Sequence, residues 1–305
     1  MKKITKGKKV TWINIQRPTK KDLDYLKKRF NIHPLVLDEL INPSHRPKVE
    51  RHKNYIFMIL YYPVYDKEKR ITAPRELNII ATNDALITSH YKSILPLKTL
   101  FKSCRAYEES KKNYMGEGPG HLLYYVLSGF WKNCLSKLQK IDERIDKIER
   151  EIFSGKEKEM VLEISLVKTD IINFWRIIKP QNEVLDSLLK EGVDFFGENL
   201  SPYFSDILGI YDQVLNGLES HKEAILALED TNQSLLSARI NEIMKILTIF
   251  SVIVLPLTLI SSIWGMNFPV SLPFTRNPIG FWVISVIMLV VMAGMILYFR
   301  KKKWL

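Results

Sequence analysis

Two long stretches without a charged side chain lie near the C-terminal end of this 305-residue sequence, at residues 246–264 and 279–299. At about 1.5 Å per residue, a helix over either stretch can cross a hydrocarbon core of about 30 Å. A pair of buried core helices is the alternative, but the neighbouring sequence offers no other elements to bury both. We therefore predict two transmembrane helices, preceded by about 240 residues outside the membrane.

Positive charges flank these stretches unevenly. Arg239 and Lys245 precede the first stretch, whereas the connecting residues 268–278 contain only Arg276. A basic ring is predicted after the second stretch, made of Arg300, Lys301, Lys302 and Lys303. Because basic residues accumulate on the cytoplasmic side, we expect both termini in the cytoplasm and the two spans in the cell (inner) membrane. The lysine-rich residues 1–10 lack the apolar segment of a secretory signal peptide.

The formal net charge of +12 is compatible with nucleic acid or with an anionic membrane surface. We favour a lipid bilayer partner and expect no nucleic acid, because the sequence lacks a basic stripe interleaved with aromatic residues. Two cysteines, Cys104 and Cys134, cannot form a disulfide framework or a four-cysteine zinc site. The six histidines show no paired spacing for a catalytic metal, so an enzyme is not expected.

Residues 1–110 have the mixed pattern of a small α/β domain. Short apolar runs bounded by polar residues predict strands at residues 10–15, 55–62, 76–82 and 85–89. Thr19 and Asp22 resemble a capping box that starts a helix at residues 20–30. A second helix is predicted up to Ile41, with Pro34 at its first position.

A helical hairpin is predicted within residues 111–200. The glycines at 116, 118 and 120 could suggest a phosphate loop, but no strand precedes them and no Lys-Ser/Thr pair follows, so we interpret them as a linker. Beyond them, apolar residues alternate at intervals of three and four, which is typical of a coiled-coil-like seam; they are Trp131, Cys134, Leu138, Ile141, Ile145, Ile148 and Ile152. Ser154 and Gly155 break this helix, and residues 156–178 are predicted to return antiparallel to it.

A stalk helix is predicted over residues 201–264, with Ser201 as its N-cap and Pro202 at its first position. The next proline is Pro256, inside the first membrane stretch. At about 1.5 Å per residue such a helix is about 95 Å long, so it must pack in an oligomer or against the hairpin.

One face of this stalk carries small polar residues at intervals of three, four or seven. They are Asp230, Ser237, Asn241, Thr248, Ser251, Thr258 and Ser262, with the apolar Met244 and Leu255 on the same face. Serine and threonine in membrane helices often only hydrogen-bond to a neighbouring helix or to their own backbone. The continuity of this face favours a pore wall. In the second stretch Ser285 is the only small polar residue, which suits an outer, lipid-facing helix.

The first stretch is followed by Gly265, Met266 and Asn267. Glycine and asparagine also end ordinary helices, but here the wider sequence resembles the CorA family of magnesium channels, whose hallmark is this tripeptide after the first of two C-terminal spans. The resemblance covers most of the chain; it includes TWIN (11–14), HPLVLDELINPSHRPKVE (33–50), NEIMKILTI (241–249), LPLTLISSIWGMNF (255–268) and YFRKKKWL (298–305).

This resemblance implies a funnel-shaped homopentamer whose five first spans surround one pore. The selectivity mouth would be formed by Gly265, Met266 and Asn267, at the start of an extracytoplasmic loop at residues 265–278. At the inner end of the pore, Asp230 would form a carboxylate ring. Met244, Leu247 and Leu255 would line an apolar gate, with oxygens from Asn241 and Thr258 between the rings. Such a pore would hold Mg²⁺ through its waters, and a ring of apolar side chains blocks a hydrated ion by dewetting.

The resemblance also implies control of the pore by intracellular Mg²⁺. Asp38, Glu39 and Asp206 match the carboxylates that bind Mg²⁺ between neighbouring cytoplasmic domains and favour the closed state; three solvated surface carboxylates are the alternative. Trp264 replaces the usual tyrosine before the tripeptide, and the external loop lacks the acidic residues of many relatives, so we expect weaker cation capture.

Residues and resemblance together favour a passive Mg²⁺ uptake channel, with Co²⁺ and Ni²⁺ as further candidates for transport. A zinc-transporting member of the superfamily is the nearest alternative, although that branch tends to replace the methionine found here as Met266. The alternative from another functional class is a membrane-anchored scaffold or sensor that does not transport ions. Residues 279–305 would form the outer span and the basic cytoplasmic tail.

Overall fold

The computed structural model describes residues 2–42, 44, 46–266 and 279–304. The chain forms two compact units, Met1–Asp230 and Thr231–Leu305. The boundary between them falls inside one long helix. The predicted division into residues 1–110, 111–200, 201–264, 265–278 and 279–305 stays a prediction. The predicted combination of an α/β domain, a long helix and two C-terminal apolar helices is confirmed.

The first unit contains a six-stranded mixed sheet with the strand order β1-β2-β6-β5-β4-β3. Its strands are β1 (Lys2–Lys6), β2 (Thr11–Gln16), β3 (Lys48–Arg51), β4 (Tyr55–Asp66), β5 (Ile71–Thr82) and β6 (Ala85–His90). Strands β2 and β6 pair in parallel and all other neighbours pair antiparallel. The four predicted strands are present, although β5 begins earlier than residue 76, and the two polar edge strands β1 and β3 were not predicted.

Strands β4, β5 and β6 form the centre of the sheet, and this position explains why long runs of their residues are buried without alternation. Residues 55–60 of β4 are all buried, as are all six residues of β6. Strands covered on both faces lose the alternation of polar and apolar residues. Trp12 of β2 is also fully buried, and its indole nitrogen donates to the Thr88 hydroxyl at 3.1 Å.

Four short helices complete the α/β part of this unit. They are α1 (Lys20–Phe30), α2 (Pro34–Ile41), α3 (Leu95–Ala106) and α4 (Glu108–Met115). The predicted start of α1 is confirmed, because the Asp22 carboxylate accepts from the Thr19 backbone nitrogen at 3.1 Å and from its hydroxyl at 2.7 Å. Helix α2 begins at Pro34, as predicted.

The predicted helical hairpin is formed by α5 (Pro119–Phe153) and α6 (Glu157–Ile178). All seven residues of the predicted seam are buried. The turn lies at Ser154–Lys156, where Gly155 has a φ of +95°. Arg144 of α5, before the turn, and Asp170 of α6, after it, form an ion pair of 2.9 Å, so the two helices run antiparallel.

Two local predictions need correction. Gly120 lies within α5 rather than in a linker, and an added Cβ there would sit 2.2 Å from Cδ1 of Leu200, so the Leu200 side chain would have to shift to admit a larger residue. Ser201 is itself helical, with φ −53° and ψ −47°, because a 3₁₀ turn at Glu198–Leu200 leads directly into the next helix. That turn follows α7 (Asn182–Phe196), which was not predicted.

The longest element is α8 (Ser201–Gly265), which is unbroken over 65 residues and includes Pro256. The second apolar stretch forms α9 (Ile279–Lys301). Both helices are long and apolar enough to cross a membrane. Within the second unit, few of their apolar side chains are buried, as expected of surfaces that face lipid or other chains.

Candidate functional site

The polar stripe predicted on the stalk lies along one face of α8. At 100° per residue, its members from Asp230 to Ser262 fall within about one third of the helix circumference. The predicted pore-lining residues are all exposed in the single chain; they are Asp230, Asn241, Met244, Leu247, Thr248, Ser251, Leu255, Thr258 and Ser262. The face is thus continuous and available to line a pathway.

Several hydroxyl groups of this stripe donate hydrogen bonds back to their own helix. Thr248 donates to the Met244 carbonyl at 2.8 Å and Ser251 donates to the Leu247 carbonyl at 3.0 Å. Thr258 donates to the carbonyl of Val254, also at 3.0 Å. This is the back-bonding that serine and threonine commonly adopt in helices.

Back-bonding determines what these hydroxyls can offer to a solute. A hydroxyl has one donor and two acceptor lone pairs, so a group that has donated to its own backbone presents only an acceptor on its outer side. The waters around a divalent cation point their hydrogens outward. The stripe therefore offers hydrogen-bond acceptors to a hydrated cation without requiring it to lose its water shell.

Apolar side chains interrupt the polar stripe at the predicted gate. Met244, Leu247 and Leu255 are 53%, 56% and 67% exposed in the single chain. Large apolar groups with this exposure need a partner surface, and in a ring of chains they would meet one another. A constriction of this kind excludes water and hydrated ions.

Only part of the tripeptide falls within the described residues. Gly265 ends α8, and the backbone nitrogen of Met266 donates to the Ile263 carbonyl at 3.4 Å. Both residues are exposed. Asn267 and the loop that follows it lie outside the described residues, so the mouth ring stays a prediction.

The predicted regulatory carboxylates each have a partner within the chain. Asp38 accepts from the side-chain amide of Asn42 at 3.0 Å, and Asp206 accepts from the Tyr124 hydroxyl at 2.9 Å. Burial raises the pKa of Tyr124, and the bond to Asp206 raises it further, so this hydroxyl remains a donor at neutral pH. Asp38 and Asp206 are exposed.

Glu39 is different because a lysine compensates its charge. Oε1 of Glu39 lies 2.8 Å from Nζ of Lys48, and Lys48 also binds Glu50 at 2.6 Å. The pKa of Lys48 is raised by these two carboxylates, against the opposing effect of burial. The other oxygen of Glu39, Oε2, is buried and has no hydrogen-bond partner within the described part of the chain.

Asp38, Glu39 and Asp206 do not form a metal site within one chain. Among the described residues, no group of three or more histidine, cysteine, aspartate or glutamate side chains is placed to hold a metal ion. Lys48 and Tyr124 were not predicted as part of this site. Lys48 lies inside the block at residues 33–50, but no spacing rule connects Asp206 to Tyr124, 82 residues away.

The residues of the predicted basic ring lie at the end of α9. Arg300, Lys301, Lys302 and Lys303 are exposed. The helix ends there with Lys303 at a φ of +56°, and its backbone nitrogen donates to the Arg300 carbonyl at 3.0 Å. Four exposed cations directly after an apolar helix suit the headgroup region of an anionic leaflet.

Comparison with known proteins agrees with the predicted family over nearly the whole chain. A family model described as CorA-like Mg²⁺ transporter protein matches residues 7–301. The cobalt/magnesium transport protein CorA of Thermotoga maritima is 32% identical over 299 residues, which cover 97% of this chain and 83% of that protein. The zinc transport protein ZntB of Yersinia pseudotuberculosis is more distant, at 17% identity over 297 residues, with coverage of 96% and 88%.

A solved structure agrees with the fold. The complete structure of the CorA magnesium transporter from Methanocaldococcus jannaschii superimposes with a TM-score of 0.84 at 25% sequence identity. The superposition covers 97% of this chain and 92% of that one.

Proposed function

The chain belongs to the CorA-like Mg²⁺ transporter protein family of membrane divalent metal transporters, and from this premise we propose that it is a passive Mg²⁺ uptake channel in the cell membrane. In this proposal it is a homopentamer in which five copies of α8 surround the pore and five copies of α9 face the lipid. Both termini lie in the cytoplasm. Co²⁺ and Ni²⁺ are secondary candidates for transport.

The observation that supports this proposal best is the exposed stripe of α8 with its back-bonded hydroxyls. Mg²⁺ gives up its waters reluctantly and prefers octahedral coordination by oxygen. A wall of hydrogen-bond acceptors can guide the hydrated ion by binding its water hydrogens. In the proposed pore Asn267 contributes an amide ring at the outer mouth, and Asp230 a carboxylate ring at the inner end.

The membrane potential supplies the driving force in this proposal. One elementary charge that crosses about 100 mV gains about 2.3 kcal/mol, so a divalent cation that enters a negative interior gains about 4.6 kcal/mol. A channel driven in this way needs no nucleotide hydrolysis. The proposal therefore accounts for uptake with the pore alone.

Intracellular Mg²⁺ closes the proposed channel through Asp38, Glu39 and Asp206 of neighbouring chains. Asp38 and Asp206 are exposed and can face a second chain. Glu39 contributes less repulsion than a free carboxylate, because Lys48 lies 2.8 Å away. We therefore expect Asp38 and Asp206 to carry most of the charge that a bound Mg²⁺ neutralises at this site.

Flux into liposomes tests the proposal. Purified protein reconstituted with an internal Mg²⁺-sensitive dye should admit Mg²⁺ when the interior is made negative, and Asn267→Ala should abolish the flux. Native mass measurement on both proteins should give five chains, which separates loss of the mouth ring from loss of assembly. Absence of flux through an intact wild-type pentamer would instead support a scaffold or sensor.

The same assay with competing cations addresses the zinc alternative. Met266 keeps the methionine of the tripeptide, and the cobalt/magnesium transport protein of Thermotoga maritima is nearer in identity than the zinc transport protein, at 32% against 17%. We therefore expect faster entry of Mg²⁺ than of Zn²⁺. Faster entry of Zn²⁺ would reassign the transported ion and leave the fold and the family unchanged.

A further inference from the structure

A cavity of about 750 Å³ lies in the first unit between the sheet and the helical hairpin. Strands β4 and β5 form one wall, and α5 and α6 form the other. Its volume falls in the range of about 300–1,000 Å³ that is typical of sites for small organic ligands. None of the residues assigned above to ion passage or to regulation lines it.

Cations outnumber anions on the walls of this cavity. Five basic residues line it, namely Lys67, Arg75, Lys137, Lys140 and Arg144, against the two acidic residues Glu143 and Asp170. Asp170 is already paired with Arg144 at 2.9 Å. Among the described residues, no carboxylate forms an ion pair with Lys67, Arg75, Lys137 or Lys140.

Arg75 and Lys137 are held in place by uncharged groups. Arg75 donates to the backbone carbonyl of Ser93, and Lys137 donates to the carbonyl of Pro63. Nζ of Lys137 also lies 3.8 Å from the ring centroid of Tyr62. These contacts orient two positive charges beside the cavity and leave their charge without a counterion.

The electrostatics of Lys137 reflect this missing counterion. Burial, together with the positive charges of Arg75 and Lys140, lowers its pKa to about 8. Cys134 does not supply a compensating negative charge at neutral pH, because burial raises the pKa of its thiol to about 12. A bound anion would stabilise the protonated amine.

The remaining wall suits a flat apolar group. Tyr62, Tyr65 and Phe174 line the cavity, together with Leu95, which is 66% exposed. Asp170 is 1% exposed, and its Oδ1 has no hydrogen-bond partner within the described residues. It therefore offers an acceptor to a ligand N–H group, since a buried acceptor without a partner costs free energy.

We propose that this cavity binds an organic phosphate with a flat ring, of the nucleoside phosphate class. Arg75 and Lys137 contact the phosphate groups, and the ring lies against the aromatic wall near Asp170. The inference goes beyond ion transport and is independent of it, because binding needs neither the pore nor an ion gradient.

Calorimetric titration of the full-length protein in detergent tests the proposal, with ADP as the probe and EDTA present to remove Mg²⁺. ADP should bind more tightly than pyrophosphate, which lacks the ring, and more tightly than adenosine, which lacks the phosphates. No ADP binding at millimolar concentration would overturn the proposal. Equal affinity for pyrophosphate and ADP would refute the part of the site assigned to the ring.

Variants locate the binding site. Lys137→Met and Arg75→Gln should each weaken ADP binding by about tenfold or more, because each removes a charge-assisted contact to phosphate. Lys132→Met is the matched control, since Lys132 is exposed on the same helix outside the cavity. Unchanged affinity in both cavity variants, with thermal unfolding like that of the wild type, would exclude this cavity.

Proton uptake gives a second measurement that does not depend on a variant folding. At pH 8 Lys137 is about half protonated, and a bound phosphate should raise its pKa, so ADP binding should take up protons. Titrations in two buffers with different ionisation enthalpies measure the number of protons taken up when ADP binds. Binding without uptake at pH 8 would contradict the contact between the phosphate and Lys137.

Discussion

The ion pair between Arg144 and Asp170 provides a quantitative test of the hairpin. The Asp170 side chain is 2% exposed, and its Oδ2 accepts from Nη1 of Arg144 at 2.9 Å. Arg144→Met would leave a buried carboxylate without its partner, which typically costs about 3–5 kcal/mol. For a unit of this size, each kcal/mol lowers Tm by about 2–4 °C, so we expect a decrease of about 6–20 °C.

The measurement is thermal unfolding of the full chain in detergent, followed by tryptophan fluorescence. Trp12 and Trp131 are both fully buried in the first unit and report on its unfolding. Lys147→Met on the same helix serves as the control, because Lys147 is exposed and such changes usually alter stability by less than about 0.5 kcal/mol.

The double variant Arg144→Met with Asp170→Leu distinguishes the charge from the packing. Apolar replacement of a whole buried pair is often neutral or stabilising. Here the pair is also incompletely bonded, because Nη2 of Arg144 and Oδ1 of Asp170 lack hydrogen-bond partners within the described residues. The double variant should therefore melt at or above the wild-type temperature. If it melts as low as Arg144→Met alone, the loss comes from packing and the electrostatic explanation fails.

Three further predictions concern the pore, its regulation and pH. Thr258→Val should slow Mg²⁺ flux into liposomes several-fold while Thr258→Ser keeps it, because only serine retains the acceptor hydroxyl; equal rates would remove this residue from the ion pathway. Replacing Asp38, Glu39 and Asp206 together by Asn, Gln and Asn should raise the internal Mg²⁺ concentration needed for closure, and an unchanged concentration would dismiss the site. Burial lowers the pKa of Lys137 from 10.5 to about 8, so between these pH values the unfolded chain binds more protons than the folded chain, and stability should rise with pH. Lys137→Met should flatten this rise in thermal melts, and an identical pH profile would contradict the burial of this amine.

Elements with a strong local period could be predicted from the sequence. The seam of α5 was predicted because its apolar residues repeat at intervals of three and four. This spacing places all of them on one face of the helix, and that face is buried. The start of α1 was predicted because Thr19 and Asp22 satisfy each other within four residues. Family membership was predictable as well, since the tripeptide and the surrounding blocks form a long, specific match.

Other features depend on contacts that no local pattern encodes. Strand β1 has the sequence KKITK, which looks like a solvated segment, and its strand structure depends on pairing with β2. Gly120 resembles a linker glycine until Leu200, 80 residues away, packs against it. The phosphate-binding cavity that we propose unites Arg75 of β5 with Lys137 of α5, and neither residue stands out in the sequence.

The back-bonded hydroxyls of α8 also affect whether a pore lined by this helix would favour cations or anions. Chloride and other anions are solvated by N–H and O–H donors, and the Thr248, Ser251 and Thr258 hydroxyls direct their hydrogens to carbonyls of their own helix. An anion would therefore meet only lone pairs from these three groups. Discrimination against anions along this stretch thus requires no carboxylate, since the helix backbone already withholds the hydrogens that an anion needs.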